Sequence, residues 1–251
     1  MMRLVLLGGM LCGQACSVKE DRSVCPCVLS LDFVSSDNDA EPVGLVIATS
    51  DGIIWEDVVE AGRQNGYQVS VPRADIHVRA WTGAKDMASE SGITIPVGEE
   101  CPEVYMHDSD LAAQGERMHE TVTLRKNHCI LTLLVEGGGM SSDLRIRGNV
   151  AGYDDLGFPL PGIFSVLLDG IYEGGYKAVL PRQKDASLML EIDEGAGSVK
   201  AFALGQYMAA SGYDWDAPDL DDVTVILDYA LTELRLVISG WESVYRYDIE
   251  I

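Results

Sequence analysis

The chain has 251 residues, enough for one large or two ordinary domains. Hydrophobic residues make up 47%, which excludes global disorder, while 18 Lys and Arg against 40 Asp and Glu give a formal charge of -22. So acidic a chain has no basic footprint for nucleic acid or anionic headgroups, and anything that holds it to a membrane must work without charge.

The first element is a short apolar run from Leu4 to Leu11, preceded by Arg3. A bilayer span takes ~20 residues, so the run is read instead as the core of an export signal, for which ~7–15 suffice. It ends at Gly13-Gln14-Ala15-Cys16, and the character switches at once to Lys19-Glu20-Asp21-Arg22. Gly13-Gln14-Ala15-Cys16 resembles a bacterial lipobox, with Gly13 where Leu is usual. Residues 1–15 are therefore expected to be a lipoprotein signal peptide, and Cys16 the lipidated first residue of the mature protein. Residues 16–26 form an acidic tether. Each buried methylene contributes ~0.8 kcal/mol, so two or three acyl chains give durable anchoring. Lys19, Glu20 and Asp21 resemble the surface-export signal of Bacteroidetes-type lipoproteins.

Beyond the tether, Cys27–Ser35 alternates apolar and polar residues as a half-buried strand does. Val43–Ala48 is a second apolar run. Asp51-Gly52 is a hairpin signal before Ile53-Ile54-Trp55, and Asp57–Arg63 has room for one helical turn. Tyr67–Val71 alternates up to Pro72. Asp75–Trp81 alternates most clearly, placing His77 on an exposed polar face. Lys85–Ala113 is irregular apart from Ile93-Thr94-Ile95, with Pro96 and Pro102 as breakers. Met118–Leu124 and His128–Glu136 are strands interrupted at Arg125-Lys126-Asn127, where a domain boundary is placed.

The second half repeats the pattern in Leu144–Gly148, Phe164–Leu168, Val179-Leu180, Ser187–Ile192 and Val199–Leu204. It continues in Val223–Tyr229, Glu233–Ser239 and Val244–Ile251, so the C-terminus is expected to belong to a sheet. Many short strands with frequent turns predict an all-β chain of two tandem sandwiches, residues 27–126 and 127–251.

Candidate chemistry is sparse. Cys25, Cys27, Cys101 and Cys129 can form disulfides in an exported chain, with three possible connectivities. Cys25 and Cys27 are too close to pair with each other, whereas one of them joined to Cys101 would pin the first strand. Cys25-Pro-Cys27 lacks the two-residue spacer of a zinc site, and His128-Cys129 alternates across a strand. Asp214, Asp216, Asp219, Asp221 and Asp222 are the densest acidic cluster. Pro218 occupies a calcium-ligand slot there and Asp219 stands where the loop Gly belongs, so a solvated loop is expected rather than a Ca2+ site. No Gly-x-Ser-x-Gly elbow and no phosphate loop occurs, and no catalytic residue, metal or cofactor is assigned. Trp55, Trp81, Trp215 and Trp241 could line a sugar site, but aromatics in strands more often pack across the sheet.

In order along the chain, these features resemble the fimbrial anchor (minor fimbrillin) lipoprotein family of Bacteroidetes-type bacteria. The resemblance rests on Cys16, the acidic tether, Cys25-Pro-Cys27 running into Leu29–Phe33, the Asp51-Gly52 hairpin and Val78-Arg79-Ala80-Trp81 before Gly83. It continues through Val122–Arg125 into Cys129-Ile130-Leu131, and Leu236-Val237-Ile238 before Gly240-Trp241. The resemblance implies two transthyretin-like β-sandwiches. It also implies a non-enzymatic role at the outer membrane, anchoring a fimbrium and limiting its length through contact with fimbrillin subunits, so that a host or bacterial surface ligand is engaged only indirectly. The alternative is a surface lipoprotein that binds glycan or host protein without polymerising.

Overall fold

A computed structural model describes residues 25–35, 41–84, 92–136, 143–154, 157–172, 175–193, 199–228, 233–238 and 241–246. The strands of the first half are β1 (Cys27–Ser35), β2 (Val43–Thr49), β3 (Gly52–Val59), β4 (Tyr67–Val71), β5 (Asp75–Thr82), β6 (Ile93–Thr94), β7 (Tyr105–Ala112) and β8 (Arg117–Lys126). Those of the second are β9 (His128–Glu136), β10 (Asp143–Tyr153), β11 (Pro159–Leu167), β12 (Asp169–Tyr172), β13 (Gly175–Pro181), β14 (Met189–Asp193), β15 (Val199–Phe202), β16 (Val223–Asp228), β17 (Glu233–Ile238) and β18 (Trp241–Arg246). One short helix, α1 (Leu204–Ala210), is found among the described residues, with a 3-10 turn at Ala61–Arg63. The chain is thus nearly all β, as its alternating sequence predicts.

Strands of the first half follow the order β3-β2-β5-β7-β8-β1-β4. The ladder between β7 and β8 holds only at Tyr105–Lys126 and Met106–Arg125, so beyond that corner the sheet opens into two layers. One core fills the space between them. Leu29 and Leu31 of β1 and Val69 and Val71 of β4 face Leu45 and Ile47 of β2 and Ile76 and Val78 of β5. The alternation of β1 therefore records a strand with one face on this core.

In the second half, the sheet β11-β10-β14-β15 faces the sheet β12-β13-β9-β16-β17-β18. Ile146, Phe164, Leu190 and Ile192 pack from one side against Leu131, Leu133, Leu180, Val223 and Val225 from the other. All of these are almost fully buried, and burial of a Val or Leu side chain is worth roughly 1.5–3 kcal/mol.

Several expectations change. Asp57–Val59 extends β3 rather than starting a helical turn, and only Ala61–Arg63 coils. The stretch 85–113 is less irregular than its sequence suggests, because Tyr105–Ala112 is a full strand between β5 and β8. Thr94 and Ile93 of β6 pair with Gly152 and Tyr153 of β10, so this excursion of the first half completes a sheet of the second. Gly152 has φ +142, and a Cβ there would collide with the Ile93 carbonyl, so the close approach of β6 requires glycine. His77 is half-buried rather than exposed, held by Asp108 at 2.6 Å and Asp110 at 3.0 Å. The strand expected to end at Leu204 stops at Phe202, and a helix follows. The strand expected at the extreme C-terminus falls partly on residues 247–251, outside the described residues.

Candidate functional site

The lipidation residue Cys16 and the export signal Lys19, Glu20 and Asp21 lie outside the described residues. Among the described residues, no helix is long and apolar enough to cross a membrane. Cys25 stands exposed at the head of β1, and the following residues carry the chain straight into the first core. Cys27 is buried there, whereas Cys101 and Cys129 are buried in the second core. All four are free thiols, and a bond from Cys27 to Cys101 would have to join two separate cores. Burial pushes the thiols of Cys101 and Cys129 up to about 12. Since the thiolate is the reactive form, maleimide should label only Cys25 of these four under native conditions and all four in denaturant. Mass spectrometry of the labelled chain checks this, and fewer than four labels after unfolding would reveal a disulfide.

All five aspartates of the acidic cluster are exposed on a loop, and two of them also tie that loop to the rest of the chain. Asp219 accepts the Lys126 amide at 2.8 Å and pairs with Arg125 at 3.1 Å. One oxygen of Asp222 takes both the Lys126 ammonium at 2.5 Å and the Ile130 amide at 2.8 Å. Two carboxylates thus fasten residues 125–130, the crossing from β8 to β9, to the loop before β16. Beneath them Asn127 receives the Tyr153 hydroxyl on its carbonyl and the Arg182 Nε on its side-chain oxygen. The Asn127 amide donates to the Val104 carbonyl at 2.9 Å, and His128 Nδ1 contacts the same oxygen at 3.1 Å. Among the described residues, no three His, Cys, Asp or Glu side chains converge on a metal position.

Trp81 and Trp215 are buried, so they serve packing; Trp55 is 40% exposed. Trp55 lies on β3, where the surface is most unusual. Among the described residues β3 is an edge strand paired only with β2, and Ile53, Ile54, Trp55 and Val58 are all exposed on it. Exposed apolar edges invite strand pairing unless something blunts them. The other edges with described side chains are better protected. β11 carries Pro159 and Pro161 and shifts register twice, β12 and β15 have four residues each, and β4 turns Gln68 and Ser70 outward. β3 has eight residues and neither proline nor lysine.

On its inner face β3 is tied to the opposite edge. Trp55 Nε1 donates to the Tyr67 hydroxyl at 2.9 Å, which donates to Asp57 Oδ2 at 2.7 Å. Arg63 reaches the same carboxylate at 3.4 Å and covers the Tyr67 ring. The Asp57 Oδ1 takes the Val58 amide at 2.8 Å, so that amide is not free for a neighbouring strand. Hydrogen bonds from Tyr67 and the Val58 amide, with the charge of Arg63, hold the Asp57 carboxyl below its usual range. A carboxylate with a depressed value stabilises the fold above its unfolded pKa, near 4, and loses that contribution as pH falls further. Asp57→Asn should therefore show a smaller loss of stability than the parent between pH 7 and pH 3. The difference should be on the order of half a kcal/mol, because the group is partly solvated. Urea midpoints at the two pH values test it, and parallel curves would refute it.

No protein-family model and no curated protein matches the sequence. Solved structures do match in shape. The fimbrial anchor protein Mfa2 of Porphyromonas gingivalis aligns with a TM-score of 0.62 at 12% identity, over 89% of this chain and 100% of that one. A Bacteroides thetaiotaomicron protein named as a candidate polysaccharide-binding protein aligns at 0.64, with 14% identity over 89% and 99% of the two chains. A fimbrial assembly protein of Parabacteroides distasonis gives 0.51, with 14% identity over 88% and 98%. The chain therefore has the fold of the fimbrial anchor and fimbrial assembly proteins of Bacteroidetes.

Proposed function

We propose that this protein is a non-catalytic lipoprotein at the base of a surface fimbrium, held in the outer membrane through lipid on Cys16. In this reading Lys19, Glu20 and Asp21 direct the chain to the outer face. Residues 27–126 and 127–251 form two transthyretin-like sandwiches, and an edge strand accepts a strand from a fimbrillin subunit. A lipidated subunit cannot move away from the membrane, so it can occupy only the end of a polymer and thereby limits its growth. The observation that carries the reading is β3, a long edge with four exposed apolar side chains on a chain with the fold of fimbrial subunits. Main-chain pairing along such an edge supplies affinity, and its alternate side chains supply selectivity.

Deletion of the gene tests it. Fimbriae should appear in the culture medium rather than on cells, or change in length, by electron microscopy and fractionation. Cell-bound fimbriae of normal length without this chain would overturn the proposal. Cys16→Ala should reproduce the deletion, because the folded body would be present and untethered.

A further inference from the structure

Beside the junction lies a cleft of about 610 Å³, within the ~300–1,000 Å³ usual for small-ligand sites. Its walls come from both halves: Asp108, Thr123 and Arg125 on one side, and Phe158, Lys184 and Asp216 among those on the other. In a chain of charge -22 it gathers Arg125, Arg182 and Lys184 against only Asp108 and Asp216. Asp108 is already occupied by His77 at 2.6 Å, and Arg125 by Asp219 at 3.1 Å, which leaves Arg182 and Lys184.

Arg182 is the anomaly. It is half-buried, yet its guanidinium is met by the carbonyls of Trp215, Ala217 and Pro218 and the side-chain oxygen of Asn127, all of them neutral. Among the described residues no carboxylate comes within ion-pair distance of it, although Asp214 and Asp216 lie close enough to act through space. Buried cations are ordinarily paired, so this one leaves positive potential on the cleft wall. Lys184 beside it is exposed and makes no ion pair among the described residues. Across the cleft, the Phe158 backbone is held at both ends of its peptide unit: its amide donates to Asp154 Oδ1 at 2.8 Å, and its carbonyl accepts the Asp154 amide at 2.8 Å. Phe158 is nevertheless 56% exposed. Its ring is thus presented to solvent.

From this arrangement we infer that the cleft is a binding site for a carboxylated sugar, of the uronic acid class. Lys184 meets the carboxylate with the charge of Arg182 behind it, Phe158 stacks on the apolar face of the ring, and Asp216 accepts sugar hydroxyls. A simple anion would use the cations and leave Phe158 idle, and would be repelled by Asp216. A neutral sugar would leave Arg182 without a counter-charge. The inference does not depend on whether β3 joins a polymer, because the two surfaces share no residue.

Calorimetric titration of the mature full-length protein in mild detergent with trigalacturonic acid, and with its methyl ester, tests the site. The acid should bind, weaken as salt rises, and lose affinity about tenfold in Lys184→Ala, as for a charged hydrogen bond. The ester should bind at least as weakly in the parent, and Phe158→Ala should weaken both ligands. Both substitutions are at exposed positions, so circular dichroism should be unchanged. No binding of the acid, equal binding of acid and ester, or affinity indifferent to both substitutions would overturn the assignment. Binding of a peptide with a free C-terminus over its amide, without binding of the sugar acid, would overturn it in favour of a polypeptide ligand.

Discussion

Tyr153→Phe should destabilise the protein by about 3 kcal/mol, although it removes a single oxygen atom. Tyr153 is fully buried, and burial holds its phenol neutral by raising its pKa well above the usual value. The hydroxyl donates to the Asn127 carbonyl and accepts the Arg182 amide at 3.0 Å. Phenylalanine keeps the ring and its packing but leaves the Asn127 carbonyl and the Arg182 amide without this partner. Each unsatisfied group costs roughly 1–3 kcal/mol, while the lost oxygen brings little compensating gain in apolar burial. Tyr176→Phe is the control, since that tyrosine is only half-buried. Urea unfolding should show the Tyr153 variant with a lower midpoint and an unchanged slope, and the control within about 0.5 kcal/mol of the parent. A Tyr153 variant within 1 kcal/mol of the parent would mean that the hydroxyl does not bridge the junction as described.

That bridge marks the limit of what the sequence discloses. β1 and β9 are readable to the residue, because Cys27–Ser35 and His128–Glu136 have one face on a core and alternate accordingly. β7 is not readable, because Tyr105–Ala112 buries only Met106 fully and its polar residues resemble a loop. It is a strand because β5 supplies a complete ladder on one side, which is non-local information. α1 has seven residues, too few to display a helical period, and is followed beyond its Ser211 cap by Gly212 with φ +84. The contacts of the acidic loop are hidden for a related reason. Asp219 and Asp222 have their partners about ninety residues earlier in the chain, at Arg125, Lys126 and Ile130, and nothing in their own spacing says so. Arg182 likewise reads as one more surface cation until Asn127 and residues 215–218 close around it. A strand's local pattern reports one buried face; a junction between halves is made of long-range pairs that leave no period. The exposure of β3 is legible only in part: Ile53-Ile54-Trp55 reads as a strand, but that it sits at an edge follows from topology.

The edge also yields the prediction with the largest effect on function. Ile54→Lys combined with Val58→Lys should leave a folded, membrane-bound protein that no longer retains fimbriae. Both side chains are exposed, at 37% and 56%, so charge there costs the monomer little. In a strand-paired complex they would be covered. Burying each is worth roughly 1.5–3 kcal/mol, so their loss alone should weaken the contact by about a hundredfold, before the cost of desolvating two ammonium groups. Lysine on an edge is also the device by which natural sheets refuse a neighbouring strand. The bulge at Ile54, where the β2–β3 register shifts between Ile47 and Ala48, already twists one end of the edge. The usable ladder is therefore centred on Trp55–Val58 once Asp57 Oδ1 gives up the Val58 amide, and Val58→Lys alone should account for most of the loss. Gln68→Lys on β4, the opposite edge of the same sheet, supplies the comparison, because Gln68 is exposed and polar already. Fimbriae counted on cells and in medium separate the cases. Loss with the β3 pair and retention with Gln68→Lys places the contact on β3. Loss with Gln68→Lys alone moves it to β4, and retention with every variant means that neither edge of the first half meets the polymer.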